Sequence, residues 1–438
     1  MLSRVLTIYP EPNVKITPKF LSSLALLTPL VACAAPGSNQ QSLVVASTSE
    51  ATSFRVDEPQ VGYDGGFFLR SEDGSSELNI EGLFQVVAGL YDGDRDPGSD
   101  VALKRMRPEL SGHVSGALRF KLEPKFTEDE VELEEAWIGF EIAEGNGLVM
   151  LGRMKAPFSL EEVRSRRHID FSNFSVLAQF APAEDHGVFL NAHTLSGLLE
   201  YGLAAYNGTG ASDTNSSKDL AGRVMLHPFV ADEGSAWENL QVGLAGTIGS
   251  QNKDVGGEAI DNALGFGVVT FAPGVELSGQ RWRAGLEGAW FRGPWFVQAE
   301  ALALSQQMSL GPADMDATVR GAYLSVSRVL TGEDKSFRGV SPETPFDPST
   351  GSGSGAWVLA ARLSELRIDE DLESLSLTAP GAFTDRIQSA SLGLNWIPND
   401  HAILRSALIY STYDDDVVLG SGRGDSEFGV LMELQLHF

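Results

Sequence analysis

From about residue 77 onward, apolar and polar positions alternate in segments of roughly ten residues. In ALRFKLEPKF, the leucine and phenylalanine side chains share one side, and the charged Arg119, Lys121, Glu123 and Lys125 share the other. The same alternation recurs in KRMRPELSGHV (104–114), EEAWIGFEI (134–142) and VLMELQLHF (430–438). Because successive side chains of a β-strand point to opposite faces, this period predicts strands with one apolar and one polar face.

Clusters of Gly, Asp, Pro and Asn separate these segments into about 16 strands. We expect strands near 77–91, 100–114, 117–127, 131–143, 147–156, 187–195, 198–207, 219–229, 239–249, 281–291, 295–308, 317–329, 356–367, 386–397, 401–412 and 427–438. Tight connections at 196–197, 293–294 and 398–400 fall on one side of this topology, and polar loops such as 208–219 fall on the other. An even strand number with short periplasmic turns and longer external loops is typical of outer-membrane barrels.

Alternation alone also fits a soluble β-sandwich, but three features favour a membrane barrel. Several consecutive polar faces are charged, as a water-filled lumen allows, and Trp and Tyr recur near segment ends, as in aromatic girdles. The chain also ends on Phe438, on an alternating strand, which resembles the signal that such barrels present to their assembly machinery. We therefore predict an all-β fold, a transmembrane antiparallel β-barrel, over residues 77–438.

Two stretches of the sequence do not fit this topology directly. The apolar segment GFGVVTF, within 250–280, is assigned to an external loop, because a further spanning strand would make the number of strands odd. Residues 330–355 form a long connection at the end where short turns are expected.

The N-terminus has the pattern of an export signal. Lys15 and Lys19 precede an apolar run that ends near Ala35, so we assign 1–35 to a signal peptide. A small-x-small cleavage pattern and a lipoprotein box both fit here, and the second would leave Cys33 lipidated. The polar residues that follow predict a flexible leader over 36–76.

Composition narrows the function. The formal net charge is −27, which argues against a nucleic-acid surface, so we expect no nucleic-acid partner. The chain has 1 Cys and 7 His, and none of the histidines has a metal-ligand spacing such as HExxH. No motif for a serine hydrolase is present, so we expect no metal, no cofactor and no enzyme activity.

Several phrases resemble the phosphate-selective porin O and P family. They include GYDGGFFLRS (62–71), LGRMKAPFSLEE (151–162), AYNGTG (205–210), FRGPWFVQAE (291–300), GAYLSVSRVLTGE (321–333), GAWVLAARLS (355–364) and LGLNWIPND (392–400). The resemblance keeps its order from about 62 to 438. It implies a 16-stranded outer-membrane porin, usually a homotrimer, whose third external loop folds inward.

Basic residues are concentrated in one part of this acidic chain. Residues 101–168 hold 11 Lys and Arg against 12 Asp and Glu, whereas the remainder holds 21 against 47. Alternation predicts a set of lumen-facing charges, namely Arg105, Arg107, Arg119, Lys121, Lys125, Arg153, Lys155 and Glu135. If the third loop folds inward, it brings five more to a pore constriction, namely Glu161, Glu162, Arg164, Arg166 and Arg167.

Rings of Arg and Lys build anion and phosphate pores, because guanidinium offers planar paired donors to oxyanions. Two alternatives stay open: the arginines neutralise nearby acids, or they bind lipopolysaccharide phosphates at the outer rim.

The expected function is passive diffusion of small hydrophilic solutes, with small inorganic or organic anions preferred. The acidic composition favours instead a general or mildly cation-preferring porin, and a structural or adhesive barrel is a third possibility. The expected partners are outer-membrane lipid and, through Phe438, the assembly machinery.

Overall fold

The computed structural model describes residues 59–92, 98–194, 196–210 and 215–438. The predicted signal peptide, Cys33 and leader residues 36–58 lie outside the described residues. Twenty strands occur in the described part: β1 (Gln60–Tyr63), β2 (Phe67–Arg70), β3 (Glu77–Tyr91), β4 (Ser99–Val114), β5 (Leu118–Phe126), β6 (Val131–Ile142), β7 (Gly147–Lys155), β8 (Glu184–His193), β9 (Leu199–Tyr206), β10 (Asp219–Leu226), β11 (Gln241–Asp254), β12 (Ala259–Asp261), β13 (Gly267–Thr270), β14 (Glu276–Arg292), β15 (Trp295–Leu310), β16 (Ala313–Val329), β17 (Ala356–Ile368), β18 (Arg386–Asn399), β19 (Ala402–Leu419) and β20 (Gly422–His437).

Helical structure is confined to single turns. The described helices are α1 (Leu160–Val163), α2 (Asp371–Ser374) and 3₁₀ turns at Ala143–Gly145, Arg166–His168 and Ala178–Phe180. No helix among the described residues is long and apolar enough to cross a membrane.

Sixteen of the described strands, β3–β11 and β14–β20, form one closed antiparallel barrel. The last strand closes on the first, with Gly429 opposite Tyr91 and His437 opposite Leu83. At the seam, the backbone of Phe438 exchanges two hydrogen bonds with that of Gly82, 2.8 and 3.1 Å long. The prediction of a 16-stranded antiparallel barrel is therefore confirmed, and closure gives each of its sixteen strands two neighbours.

Residues 59–76 differ from the expected flexible leader. Strand β2 pairs with β3 from Phe67 opposite Ile80 to Arg70 opposite Glu77, and β1 pairs with β2. Because β20 pairs only with residues 83–91 of β3, β2 occupies the part of that edge which β20 does not reach.

The apolar and polar faces follow the predicted alternation. On β17, Leu363 is 63% exposed on the outer face, whereas its neighbour Arg362 is 3% exposed on the inner face. Several strands extend further than their apolar pattern predicted: β14 begins at Glu276, and β19 continues through Asp414 to Leu419. The extra residues are largely polar and lie beyond the apolar band, so hydrophobic periodicity does not mark them.

Register shifts interrupt the alternation at several places in the described strands, and two of them, on β4 and β6, are β-bulges of one residue. In the pairing of β3 with β4, Gln85 lies opposite Arg105 and Val86 opposite Leu103, so Lys104 has no partner. In the pairing of β5 with β6, Glu134 is skipped in the same way. A bulge turns two consecutive side chains toward one face, and both bulges do so with charged pairs.

The barrel has a turn end, at Phe438 and the short turn at 293–294, and a loop end opposite. The segment GFGVVTF lies outside the barrel sheet, where β12 and β13 form a separate hairpin within the loop 255–275. Its placement in a loop, which keeps the strand number even, was predicted correctly. Residues 330–355 connect β16 to β17 at the turn end and bring buried Glu333 and Lys335 to the protein interior.

Wall height differs around the barrel. Strands β5–β10 have 8 to 12 residues, and β14–β20 have 13 to 18. One side of the wall is therefore low and the other is tall.

Candidate functional site

Loop L3 (residues 156–183) joins β7 to β8 and carries all five predicted constriction residues. Ser159, with φ 65°, begins helix α1, and its side chain accepts a hydrogen bond from the backbone N–H of Glu162. Ser165 likewise accepts from the N–H of Arg167 at the following 3₁₀ turn. Such serine caps satisfy N–H groups that have no partner within a helical turn. These short turns send the three arginines toward different partners.

Arg164 lies against strand β15. Its Nη1 donates to Oε1 of Gln298 at 2.5 Å, and its guanidinium carbon lies 5.0 Å from the ring centre of Phe296 and 4.7 Å from that of Phe337. Phe337 belongs to the connection 330–355, so Arg164 links this connection to the wall. A guanidinium enclosed in this way by aromatic rings is stabilised by cation–π attraction.

Arg166 and Arg167 are bound to carboxylates. Arg166 lies 3.5 Å from Glu162 and 3.9 Å from Glu134, and its guanidinium stacks 4.0 Å from the ring of Phe174. Arg167 forms an ion pair with Glu81 and lies 3.8 Å from Glu109. The acids come mainly from β3, β4 and β6, so the partners of this loop are distant in sequence.

The two glutamates of L3 also have partners. Glu161 accepts hydrogen bonds from the N–H of Ser175, at 3.0 and 3.1 Å, and from its hydroxyl, at 2.6 Å. It also lies 3.3 Å from Nη1 of Arg362 on β17. Burial raises the pKa of Glu162, while Arg166 and Lys155 oppose that shift.

Charges on the inner face of β4–β6 form a network. Lys121 lies 2.8 Å from Glu123, 3.3 Å from Glu135 and 3.4 Å from Glu109. Further ion pairs join Arg107 to Glu123 and Glu134, Lys125 to Glu132 and Glu134, and Arg119 to Glu141. These predicted lumen residues are therefore brought together and largely neutralised.

The remaining predicted lumen residues differ from one another. Arg105 lies beside the bulge, and its buried Nε has no hydrogen-bond partner among the described residues. Lys155 donates to the carbonyls of Glu162, at 2.7 Å, and Arg164, at 3.3 Å, within L3.

Arg153 is not on the lumen face. Arg153 pairs with Ala136 on β6 and with His186 on β8. Two positions earlier on the same face, Leu151 pairs with Ile138 and Val188, and these three side chains point outward. Its Nη1 reaches the carbonyl of Gly210 at 3.1 Å. The prediction failed because the alternation of Arg153 with Lys155 was assigned to the lumen, although the apolar Val149 and Leu151 lie on the same face by the same alternation.

Sequence reasoning missed several charged residues of the site. Lys104, which the alternation had assigned to the opposite face, lies 3.6 Å from Glu433 and donates to the hydroxyl of Ser172 in L3 at 2.7 Å. On β19, Arg405 donates to Glu433 at 2.5 Å and to the L3 carbonyls of Arg167 and Ile169. The bulge conceals Lys104. Arg405 is the single charge in the stretch AILRSALIYSTY (402–413), which precedes the aspartates of β19, and that charge was the available signal.

Two spaces lie beside L3. The turn-end cavity, of about 450 Å³, is lined by charged residues including Arg167, Asp170, Lys335, Arg338 and Arg405. The side cavity, of about 570 Å³, lies along β6–β10, and its charged lining is Glu135, Glu141, Glu200, Lys155 and Arg223.

Opposite the side cavity, L3 belongs to an apolar cluster. Phe171, Val176 and Leu177 pack with Val269 of the loop 255–275 and with inward residues of β15–β20. Apolar packing therefore fills part of the space against the tall wall, and the larger of these two spaces lies along the low wall. Within the described residues, no group of three or more His, Cys, Asp or Glu side chains is arranged to hold a metal ion.

Comparisons with known proteins agree with this architecture. The anion-selective porin from Comamonas acidovorans has a TM-score of 0.55 and 13% identity, over 83% of this chain and 100% of that chain. The outer membrane channel DcaP of Acinetobacter baumannii has a TM-score of 0.56 and 11% identity, over 84% and 99%. At such identities the likeness concerns the fold.

Sequence comparison is more specific. Porin O of Pseudomonas aeruginosa is 27% identical over 199 residues, which are 45% of this chain and 44% of Porin O, so the match spans less than half of that relative. The family model described as "Phosphate-selective porin O and P" matches residues 77–438. The chain therefore belongs to the phosphate-selective porin O and P family and is a β-barrel of the outer membrane.

Proposed function

We propose that this protein is a porin through which small hydrophilic solutes diffuse passively. The observation that carries the proposal is the side cavity, a space with five charged lining residues between L3 and the inner face of β6–β10. The barrel supplies a closed wall of strands that are each hydrogen-bonded to two neighbours, which an aqueous path through lipid requires. Channel fold and family membership favour transport over catalysis.

The third external loop narrows this path. It contacts inward residues of strands that are far around the barrel from β7 and β8. Its side chains contact Glu81 on β3, Gln298 on β15 and Arg362 on β17, and its backbone carbonyls accept from Arg405 on β19. A loop that begins at β7 reaches those side chains by crossing the lumen. We infer that Glu161, Glu162, Arg164, Arg166 and Arg167 form the wall of the constriction, and that all of them except Arg164 already have ion-pair partners.

Anion preference is the finer part of the proposal. In the turn-end cavity, Arg167, Lys335, Arg338 and Arg405 face three acids, Asp170, Asp334 and Asp400, so cations are in slight excess. Among the described residues, exposed Arg338 has no ion-pair partner within 4.0 Å and is available to a passing anion. The family and the anion-selective neighbour support the same preference.

A weakly cation-preferring or general porin is the second candidate. The pairing of the L3 arginines and the three glutamates of the side cavity favour it, because paired charges attract ions less strongly than free ones.

We further propose a homotrimer. An eight-residue strand rises roughly 20 Å at the usual tilt, less than the apolar band of about 25 Å. Strands β9 and β10 have this length. The low wall is thus suited to being covered by neighbouring copies.

Phe438, exposed at the seam, stays the proposed contact for the assembly machinery.

Bilayer recordings test the proposal. Purified protein in a planar bilayer is expected to give stable, ohmic conductance steps, and their absence would favour a structural or adhesive barrel. The reversal potential in a KCl gradient then distinguishes the two selectivities. A reversal potential whose sign indicates cation preference, and which added phosphate does not change, would reject anion preference. It would leave the porin function intact.

A further inference from the structure

Three arginines lie side by side on the outer face of the tall wall. Arg320 on β16 is directly opposite Arg367 on β17, which is directly opposite Arg386 on β18. They share the face of the exposed Leu324 and Leu363, each four positions away on its strand. We call Arg320, Arg367 and Arg386 the arginine row.

The barrel itself balances this charge incompletely. Nε of Arg367 and Nη2 of Arg386 each lie 2.7 Å from the carboxylate of Glu365, and Arg386 also lies 3.9 Å from Asp414. Within the described residues, Arg320 has no ion-pair partner within 4.0 Å, and the side chain of Arg367 is 65% exposed. Like charges directly opposite each other destabilise a sheet. An external anion would remove that repulsion.

The depth of the row matches a membrane interface. On the same outer face, Trp357 and Trp396 form a stacked pair toward the turn end, with ring centres 6.0 Å apart. Arg367 follows Trp357 by ten residues, and Arg386 precedes Trp396 by ten. Ten residues span about 33 Å of strand, which at a tilt of about 40° is roughly 25 Å, the height of the apolar band. The row therefore lies at the headgroup level of the external leaflet.

An apolar depression adjoins the row. Ala303 lies opposite both Ala284 and Arg320, and Ala301 lies opposite Ala322 one level deeper. These small side chains leave a depression of about 520 Å³, with Leu244 and Leu286 in its lining and Arg320 and Arg367 at its edge. Such a surface accepts an acyl chain beside an anionic headgroup.

We propose that the arginine row and this depression bind a phosphorylated glycolipid of the external leaflet. Guanidinium groups bind phosphate oxygens through charge-assisted, often paired hydrogen bonds. The depression holds an acyl chain of the same molecule, which free phosphate lacks. A second copy of this chain is the weaker fit, because the row is on the tall wall, which spans lipid by itself.

The test uses the full-length protein and a matched pair of variants. R320Q/R367Q removes two charges from the row. R292Q/R328Q removes two from the turn end of the outer face, where Arg292 and Arg328 both lie opposite Trp295. Each protein is incubated in detergent with bisphosphorylated lipid A, and the lipid bound per barrel is counted by native mass spectrometry. Unchanged conductance steps show that each variant is folded.

We expect at least tenfold weaker lipid A binding by R320Q/R367Q and no change for R292Q/R328Q. Dephosphorylated lipid A should bind wild-type protein weakly, to the same extent as lipid A binds R320Q/R367Q. Equimolar inorganic phosphate should not displace lipid A from the wild-type protein. Equal binding by the two variants, or displacement by inorganic phosphate, would overturn the proposal. A change of subunit number in R320Q/R367Q without lipid would also overturn it, by assigning the row to a subunit contact.

Discussion

The barrel carries two groups of three arginines, and they differ in what the arginines already touch. In L3, Arg164 is held by Gln298 and two phenylalanines, and Arg166 and Arg167 are held by glutamates. On the outer face, Arg367 and Arg386 share Glu365. The L3 arginines, which are conspicuous in the sequence, therefore have more carboxylate partners than the arginines of the outer face.

This difference separates two uses of arginine. In L3, ion pairs join the loop to strands β3, β4, β6 and β17. At the lipid boundary, the arginines keep donors available for a molecule that arrives after folding. Adjacent arginines in a sequence thus indicate local charge density, and register decides whether that charge is free.

The largest expected effect comes from breaking the attachment of L3 to β17. Glu161→Gln leaves Arg362, which is 3% exposed, without its charged partner. Removing one partner of a buried ion pair typically costs about 3–5 kcal/mol. We expect markedly faster thermal unfolding in detergent and noisier single-channel currents, because L3 is no longer held against the tall wall.

The control is the double variant E161Q/R362Q, which removes both charges together. It should recover most of the loss, since neither charge is then left buried alone. If E161Q alone unfolds at the wild-type rate, the pair does not hold L3.

The next effect concerns ion selectivity. R164Q/R166Q/R167Q removes three positive charges and leaves Glu81, Glu109 and Glu162 without these partners. We expect a several-fold shift of the permeability ratio toward cations, because fixed charges lining a pore set its ion selectivity. The reversal potential in a KCl gradient measures this shift.

The outer group provides the matched control for this variant. R320Q/R367Q/R386Q changes the net charge by the same amount, but on the surface that faces lipid. Its reversal potential should equal that of wild type. Equal shifts from the two triple variants would mean that selectivity follows net charge and not the position of L3.

These contrasts also show which parts of the fold and the site the sequence pattern can predict. Alternation predicted the strands because an apolar face toward lipid and a polar face toward water must repeat every second residue. It failed at Lys104, because a bulge shifts the register without altering composition. The resemblance to a porin family correctly indicated the fold.

The partners within the site were harder to predict. The acids that pair with Arg166 and Arg167 include Glu81, Glu109 and Glu134, which lie on three different strands. Finding them requires both the path of L3 and the register of those strands. Arg320 and Arg367 are far apart in the sequence, and only the pairing of β16 with β17 places them side by side.

A smaller effect tests the aromatic enclosure of Arg164. Arg164→Lys keeps the charge but loses the planar group between Phe296 and Phe337. We expect a loss of about 1 kcal/mol, in the range of a partly buried cation–π contact. Thermal unfolding rates in detergent measure it. R328K is the control, because Arg328 makes a similar contact with Trp295 at an exposed site, and it should change the rate less.

The smallest effect is expected where a charge pair is open to water. Arg119 and Glu141 form an ion pair in which the side chains are 40% and 30% exposed. An exposed pair contributes less than about 1 kcal/mol, because water and salt screen it. Arg119→Gln should therefore leave the thermal unfolding rate almost unchanged. Lys121→Gln, on the same strand, should have a clearly larger effect, since Lys121 is more buried and faces three glutamates. If the two variants unfold alike, burial does not determine which charges of this lumen stabilise the barrel, and the contrast between the paired and exposed arginines loses its physical basis.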